Sequence, residues 1–198
     1  MIAGLILAAG ESSRMGTDKA LLTYRGRTFV ETILTTLREA GVSRLAVVLG
    51  HHADEIQRAV DFTGVEVIVN HDYQQGQTSS LQAGLKALES GAGTSVEAVL
   101  LCLVDHPAVP AEAIRALLAA FRATASPVVI PAFKGRRGHP VLIGRALFDE
   151  LLGSNPEAGA NSVIRKYREA TQFVEVGDAG ILLDVDAPET YRNLAAGN

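Results

Sequence analysis

The sequence predicts an α/β fold in three α/β/α layers, built on a mostly parallel sheet with an antiparallel hairpin inserted into it. Three observations carry that expectation. Short apolar, β-rich runs alternate with stretches of helical periodicity, as parallel βαβ units require. The run Val99-Leu100-Leu101-Cys102-Leu103-Val104 is apolar at every position, which suits a strand covered on both faces. After Pro131 a Gly-rich basic turn leads into another strand-like run, as a hairpin does.

The elements follow in order. Residues 5–9 form the expected first strand, and the first helix is signalled by Thr28 with Glu31 three residues on, the spacing of a capping box. Gly41 stands where a helix C-terminal glycine belongs, ahead of a strand at 45–50. A strand at 65–70 precedes a second capping-box pair, Ser79 and Gln82, whose helix is expected to end at Gly91. The strand at 96–104 is followed by a helix opened by Pro110, where a missing N–H costs nothing, and by a strand at 127–131. Phe133-Lys134-Gly135-Arg136-Arg137-Gly138-His139 then turns the chain into Pro140-Val141-Leu142-Ile143. A loop at 153–159, a helix near 162–170, strands near 173–176 and 181–185, and a terminal helix complete the series. Without repeats, linkers or low-complexity tracts, residues 1–198 are expected to form one domain.

Composition narrows the function. With 198 residues, 47% of them hydrophobic, the chain can bury roughly 70% of its unfolded surface in an aliphatic core. A formal charge of −4 argues against a protein that neutralises many nucleic-acid phosphates, so an anionic ligand must be met locally. Cys102, the one cysteine, lies in an apolar run and reads as a small buried hydrophobe. The first ten residues are apolar but lack a basic leader, and no run approaches the ~20 apolar residues of a membrane span. The expected location is the cytoplasm.

The loop Leu7-Ala8-Ala9-Gly10-Glu11-Ser12-Ser13-Arg14-Met15-Gly16-Thr17-Asp18-Lys19 leaves the end of the first strand, where open α/β sheets bind ligands. Gly10 admits a phosphate close to the backbone, Ser12 and Ser13 offer hydroxyl donors, and Arg14 and Lys19 offer positive charge for a triphosphate. A P-loop would have four residues between its glycines, whereas five separate Gly10 from Gly16, and the dinucleotide pattern G-x-G-x-x-G is absent.

The loop resembles the nucleotidyltransferase signature L-A-x-G-x-x-x-R-M-G-x-x-K, and in particular that of the molybdenum cofactor cytidylyltransferases among the MobA-like NTP transferases. The fold implied is the Rossmann-like, nucleotide-diphospho-sugar transferase-like one. Gln75-Gly76-Gln77-Thr78-Ser79-Ser80 is similar to the family's second nucleotide loop, with Gly76, Ser79 and Ser80 as contacts; a plain helix cap by Ser79 is the alternative. Asp105, in Val104-Asp105-His106-Pro107, ends an apolar strand, and a carboxylate there needs water or a cation. The resemblance makes it a magnesium ligand. Leu183-Asp184-Val185-Asp186-Ala187-Pro188-Glu189-Thr190-Tyr191 resembles the family's closing D-x-D-T-P-E-x-Y segment, with Ala187 in place of Thr; Asp186 is then the second Mg2+ ligand and Asp184 its rival. Either carboxylate is also a candidate helix cap. Arg136, Arg137, Gly138 and His139 resemble the acceptor-binding loop G-x-R-G-H-P, suited to a phosphorylated acceptor. His51, His52 and His71 follow strand ends without zinc-ligand spacing and read as loop residues.

The resemblance implies that a nucleoside monophosphate passes from an NTP to a phosphorylated acceptor with release of pyrophosphate. Leu7, Ala8, Ala9, Gly10, Ser12 and Ser13 would then line the nucleotide, with Arg14, Lys19 and Asp105 catalytic. Ala9 favours CTP, because guanylyl-transferring relatives tend to carry Gly there, and Ala20 after Lys19 departs from the isoprenoid cytidylyltransferases, which carry Gln. The implied acceptor is molybdopterin carrying molybdenum, with a transient contact to a molybdoenzyme as a further partner. A guanylyltransferase or sugar-1-phosphate nucleotidyltransferase of the same fold, and a non-catalytic molybdopterin-handling module, stand as alternatives.

Overall fold

The computed structural model describes residues 1–12, 15–90 and 95–196. Its main sheet has the order β10-β7-β9-β6-β1-β4-β5, formed by β1 (Ile2–Ala8), β4 (Arg44–Leu49), β5 (Glu66–Val69), β6 (Ala98–Leu103), β7 (Val128–Phe133), β9 (Val141–Gly144) and β10 (Thr171–Glu175). β1 pairs in parallel with both β4 and β6, β4 with β5, and β10 with β7. β9 runs antiparallel between β6 and β7, and the short β8 (Arg136–Arg137) folds back antiparallel on β7. Lys134 and Gly135 both take positive φ at that turn. The expected hairpin is thus present within a sheet whose other strands point one way.

Strand residues alternate between two aliphatic cores. Ile6, Ala8, Val47, Leu49, Leu100 and Cys102 face α1 (Phe29–Glu39), α2 (Ala53–Ala59) and α4 (Ala111–Thr124). Leu5, Leu7, Val48, Val99 and Leu101 face α3 (Gln77–Ser90), α5 (Phe148–Leu152) and α6 (Ala160–Lys166). Gly84 lets α3 settle onto β1, since a Cβ there would lie 2.6 Å from Leu5 Cδ1. Cys102 is fully buried, and burial pushes its thiol up to about 12. A third, smaller cluster joins the two ends of the chain: Leu22, Tyr24 and Phe29, by the two-stranded hairpin β2 (Thr23–Tyr24) and β3 (Arg27–Thr28), pack with Val185 and Tyr191 of the C-terminal segment and α7 (Pro188–Ala196). Among the described residues, no helix is long and apolar enough to cross a membrane.

The local signals differ in outcome. Both halves of the Thr28–Glu31 capping box are formed, and Gly41 follows α1 at φ +87°. Pro110 sits one residue before α4, as its cap. The Ser79–Gln82 pair is not a capping box: α3 begins two residues earlier, so Ser79 lies inside it, and the Gln82 amide instead donates to the carbonyls of Leu151 and Ser154, both at 2.8 Å. Gly91 lies outside the described residues. α6 ends at Lys166, and Arg168–Ala170 forms a separate 3-10 turn.

Residues 181–185 are not a strand. Ala179–Leu182 is a 3-10 turn, and the chain then runs extended across the carboxyl ends of the strands, tied by the Val185 N–H donating to Asp105 O at 2.9 Å. Two close approaches hold this course: a Cβ on Gly138 would lie 2.3 Å from Ile181 O, and one on Gly180 would lie 2.3 Å from Ala108 O.

Candidate nucleotide-binding site

From β1 the chain moves outward through β4 and β5, then returns to the other side of β1 as β6. That reversal opens a crevice at the carboxyl ends of β1 and β6, the place where open α/β sheets bind ligands. A cavity of about 280 Å³ occupies it. Leu7, Ala8, Ala9, Gly10, Ser12 and Lys19 line it from the first loop, Gly76, Gln77 and Ser80 from the start of α3, and Asp105 from the end of β6. Asp18, Tyr73, Leu103 and Val104 complete the wall.

The first loop is shaped by its own bonds. Ser12 has φ 50°, its carbonyl accepts from Met15 N at 2.8 Å, and its hydroxyl oxygen accepts from Lys19 N at 3.0 Å. Asp18 caps the 3-10 turn Lys19–Leu21 by accepting from Ala20 N at 2.9 Å, which presents the Lys19 side chain to the crevice. Its ammonium donates to Asp105 Oδ2 at 3.3 Å and also to Asp186 Oδ1. Residues from the beginning, middle and end of the chain therefore meet at one charge cluster. Ser13 and Arg14, expected to contact nucleotide, lie outside the described residues.

Ser79 and Ser80 divide their tasks. The Asn70 side-chain amide donates to both hydroxyls, at 2.9 and 3.0 Å, and the Ser79 hydroxyl is further engaged by the carbonyls of Asp72 and Gly76. Ser79 thus braces the turn behind the cavity wall, whereas Ser80 faces the cavity.

The carboxylates Asp105, Asp184 and Asp186 crowd together. Burial, and then the charges of Asp105 and Asp186, hold the Asp184 carboxyl above its ordinary range. Asp105 Oδ1 is buried without a hydrogen-bond partner. Asp105, His106 and Asp184 present ligand atoms within 4.8 Å of one another. A clustered carboxylate set with an unsatisfied buried oxygen is chemistry a divalent cation fits, since hard oxygen donors suit Mg2+ and Mn2+.

The acceptor-side loop is split. Arg136 and Arg137 are exposed on β8 away from the cavity wall, with the Arg137 guanidinium 4.4 Å over the Phe173 ring. Gly138 is packed against the Ile181 carbonyl, and the His139 N–H donates to that carbonyl at 2.9 Å. The His139 ring stands 4.6 Å from that of His106, beside Asp105. Burial, then the neighbouring His106, lowers His139 to about 4, and burial lowers His106 despite the nearby carboxylates. Both rings are neutral at pH 7.

Asp18, Asn70, Tyr73 and Gln77 were not singled out by their sequence. Asp18 adjoins Lys19, which is a local signal; the others are brought in only by the turn before α3.

The sequence pattern of the MobA-like NTP transferase domain matches residues 4–171. The chain belongs to the MobA-like NTP transferase family. It is a nucleotidyltransferase of that family, with the family's three-layer fold. It is 31% identical to the nicotine blue oxidoreductase of Paenarthrobacter nicotinovorans, over 98% of this chain and 96% of that protein. It is 25% identical to the molybdenum cofactor cytidylyltransferase of Escherichia coli (strain K12), over 94% and 92%. Among solved structures, Rv0371c of Mycobacterium tuberculosis H37Rv superposes with a TM-score of 0.86 at 30% identity, covering 98% of this chain and 97% of that one. Its complex with manganese gives 0.82 at 27% identity, covering 100% and 99%. That neighbour of the same fold holds manganese.

Proposed function

We propose that this MobA-like chain, acting as one domain in the cytoplasm, transfers a cytidylyl group from CTP to the phosphate of a molybdopterin-type acceptor and releases pyrophosphate. The single observation behind this reading is the meeting of Lys19 with Asp105 and Asp186 at the mouth of the crevice. A cation and two carboxylates drawn from three distant parts of the chain suit a reaction between two anions, in which charge neutralisation and alignment carry most of the catalysis. The cytidylyltransferase relative and Ala9 support the choice of base and acceptor.

In this proposal Leu7, Ala8, Ala9, Gly10 and Ser80 position the nucleotide, and Lys19, with Arg14, neutralises the departing pyrophosphate. Asp105 and Asp186, with Asp184 beside them, would hold Mg2+, which supplies positive charge to the phosphates when bound. The acceptor phosphate is already ionised at pH 7, so no side chain is asked to act as a base. His139, neutral and facing His106 from the acceptor-side loop, offers the acceptor a hydrogen bond without adding charge.

The test is pyrophosphate release with each NTP in the presence of molybdopterin or of sugar phosphates. CTP with molybdopterin should be turned over, and Asp105→Ala should abolish turnover while leaving the circular dichroism spectrum unchanged. Turnover with GTP or a sugar phosphate instead would replace the substrates. CTP binding without turnover of any acceptor would favour a cofactor-handling role, and wild-type rates in Asp105→Ala would remove the metal assignment.

A further inference from the structure

Among the described residues, a second group of donors begins at the cavity wall and runs behind it: Asp18, His51 and His52 offer ligand atoms within 4.8 Å of one another. Asp18 belongs to the loop that presents Lys19, and the two histidines form the turn between β4 and α2. The turn is fastened to the end of β1 by the His51 N–H, which donates to Ala9 O at 3.2 Å. We infer that Asp18, His51 and His52 form a metal site separate from the acidic group around Asp105, taking one divalent ion of borderline softness such as Zn2+.

An ordinary ion pair does not account for the arrangement. The Asp18 side chain is only 5% exposed. Its Oδ1 is used by Ala20 N, but Oδ2 is buried with no hydrogen-bond partner. The nearest imidazole nitrogen, His52 Nδ1, stands 3.9 Å from Oδ2, beyond hydrogen-bond reach. His51 Nδ1 is likewise buried and unpartnered. The two rings lie 3.7 Å apart between centroids, tilted by 45°, so a second proton on each would set two cations in contact. One cation shared between a carboxylate oxygen and two neutral imidazoles resolves all of these at once.

The donor set selects the ion. Two imidazoles and one carboxylate suit zinc and its neighbours, whereas the group around Asp105, in which carboxylates outnumber the one imidazole of His106, suits Mg2+ or Mn2+. With Zn–N and Zn–O distances of about 2.1 Å, tetrahedral donors stand roughly 3.4 Å apart, so ring rotation and a shift of about 1 Å close the site. Three protein ligands leave the fourth position to water. Because Asp18 Oδ1 caps the turn that carries Lys19, an ion on Oδ2 fastens that turn to the β4–α2 corner and steadies the Lys19 side chain. The inference does not depend on which nucleotide or acceptor the enzyme uses.

The experiment is calorimetric titration of Zn2+ into the full chain without nucleotide, in excess Mg2+ to occupy the carboxylate group. One zinc per chain is expected, and Co2+ in its place should give the visible absorption of a histidine-bound ion. The double variant His51→Gln, His52→Asn should bind zinc roughly tenfold or more weakly. Asn is chosen because His52 has φ 54°, a conformation Asn tolerates. Should that variant unfold, Asp18→Asn keeps the acceptor for Ala20 N and should show the same loss. Asp105→Asn should leave zinc affinity unchanged. The inference is overturned if the wild type binds no zinc, if the histidine variant binds it as the wild type does, or if zinc is lost on Asp105→Asn instead.

Discussion

Replacing Gly138 by alanine tests whether this glycine serves an acceptor or the fold. Its φ lies outside the positive range, so the backbone itself tolerates a side chain, and the obstacle is steric. The new Cβ would lie 2.3 Å from Ile181 O, 2.8 Å from its carbonyl carbon and 2.9 Å from Ile181 Cδ1. Two of these atoms are backbone, so the segments must separate by about 1 Å, enough to stretch the 2.9 Å bond from His139 N to Ile181 O beyond use. Overpacking of this kind costs about 1–3 kcal/mol, and a lost hydrogen bond about 1 more. For a chain of this length each kcal/mol lowers Tm by about 2–4 °C, so thermal unfolding of Gly138→Ala should fall by roughly 4–16 °C. Ile181 leads directly into Asp184 and Asp186, so kcat for pyrophosphate release should drop as well. A variant with unchanged Tm and kcat but a raised KM for the acceptor would refute the packing account and restore Gly138 to the acceptor side.

Three further outcomes follow from named contacts. Thr28→Ala removes the hydroxyl that accepts from Glu31 N at 3.3 Å and donates to Glu31 Oε2 at 2.7 Å, and should cost about 1 kcal/mol in denaturant unfolding without affecting turnover. Lys19→Met removes the cation between Asp105 and Asp186 and should lower kcat by about 10²–10³, the usual scale for one preorganised charge-stabilising donor; steady-state pyrophosphate release reads it. His139 should titrate near 4 by NMR, where an exposed histidine titrates near 6.5. Its folded value is depressed, so its contribution to stability is full above pH 6.5 and is lost as pH falls toward 4, by roughly 3 kcal/mol at most. A midpoint near 6.5 would show the ring solvated in solution.

Much of the fold could be read from the chain because its signals are local. Near-continuous apolar runs marked β1, β4 and β6, the Thr28–Glu31 pair marked the start of α1, and the Gly-rich basic run at 133–139 marked the hairpin turn. Ser79 and Gln82 had the spacing of a cap, but Gln82 is drawn away by carbonyls of Leu151 and Ser154, which are distant in sequence. Residues 181–185 had strand composition, yet no edge receives them; the close approaches at Gly138 and Gly180 direct them over the strand ends instead. The same contrast holds in the crevice. The Gly10–Lys19 loop is one continuous stretch and declares itself, while Asn70, Tyr73 and the Asp18–His51–His52 group depend on a crossover that spacing alone does not reveal.

The third hydrophobic cluster has a bearing on how the enzyme comes into being. It clasps the hairpin after the first loop to the final helix, and the Lys19–Asp186 contact beside it spans 167 positions. Contacts closing so long a stretch form late, after the nearby strands have paired. A chain whose sheet has paired therefore holds Asp105 beside Lys19 but gains Asp184 and Asp186 only when the segment after Ile181 docks over the strand ends.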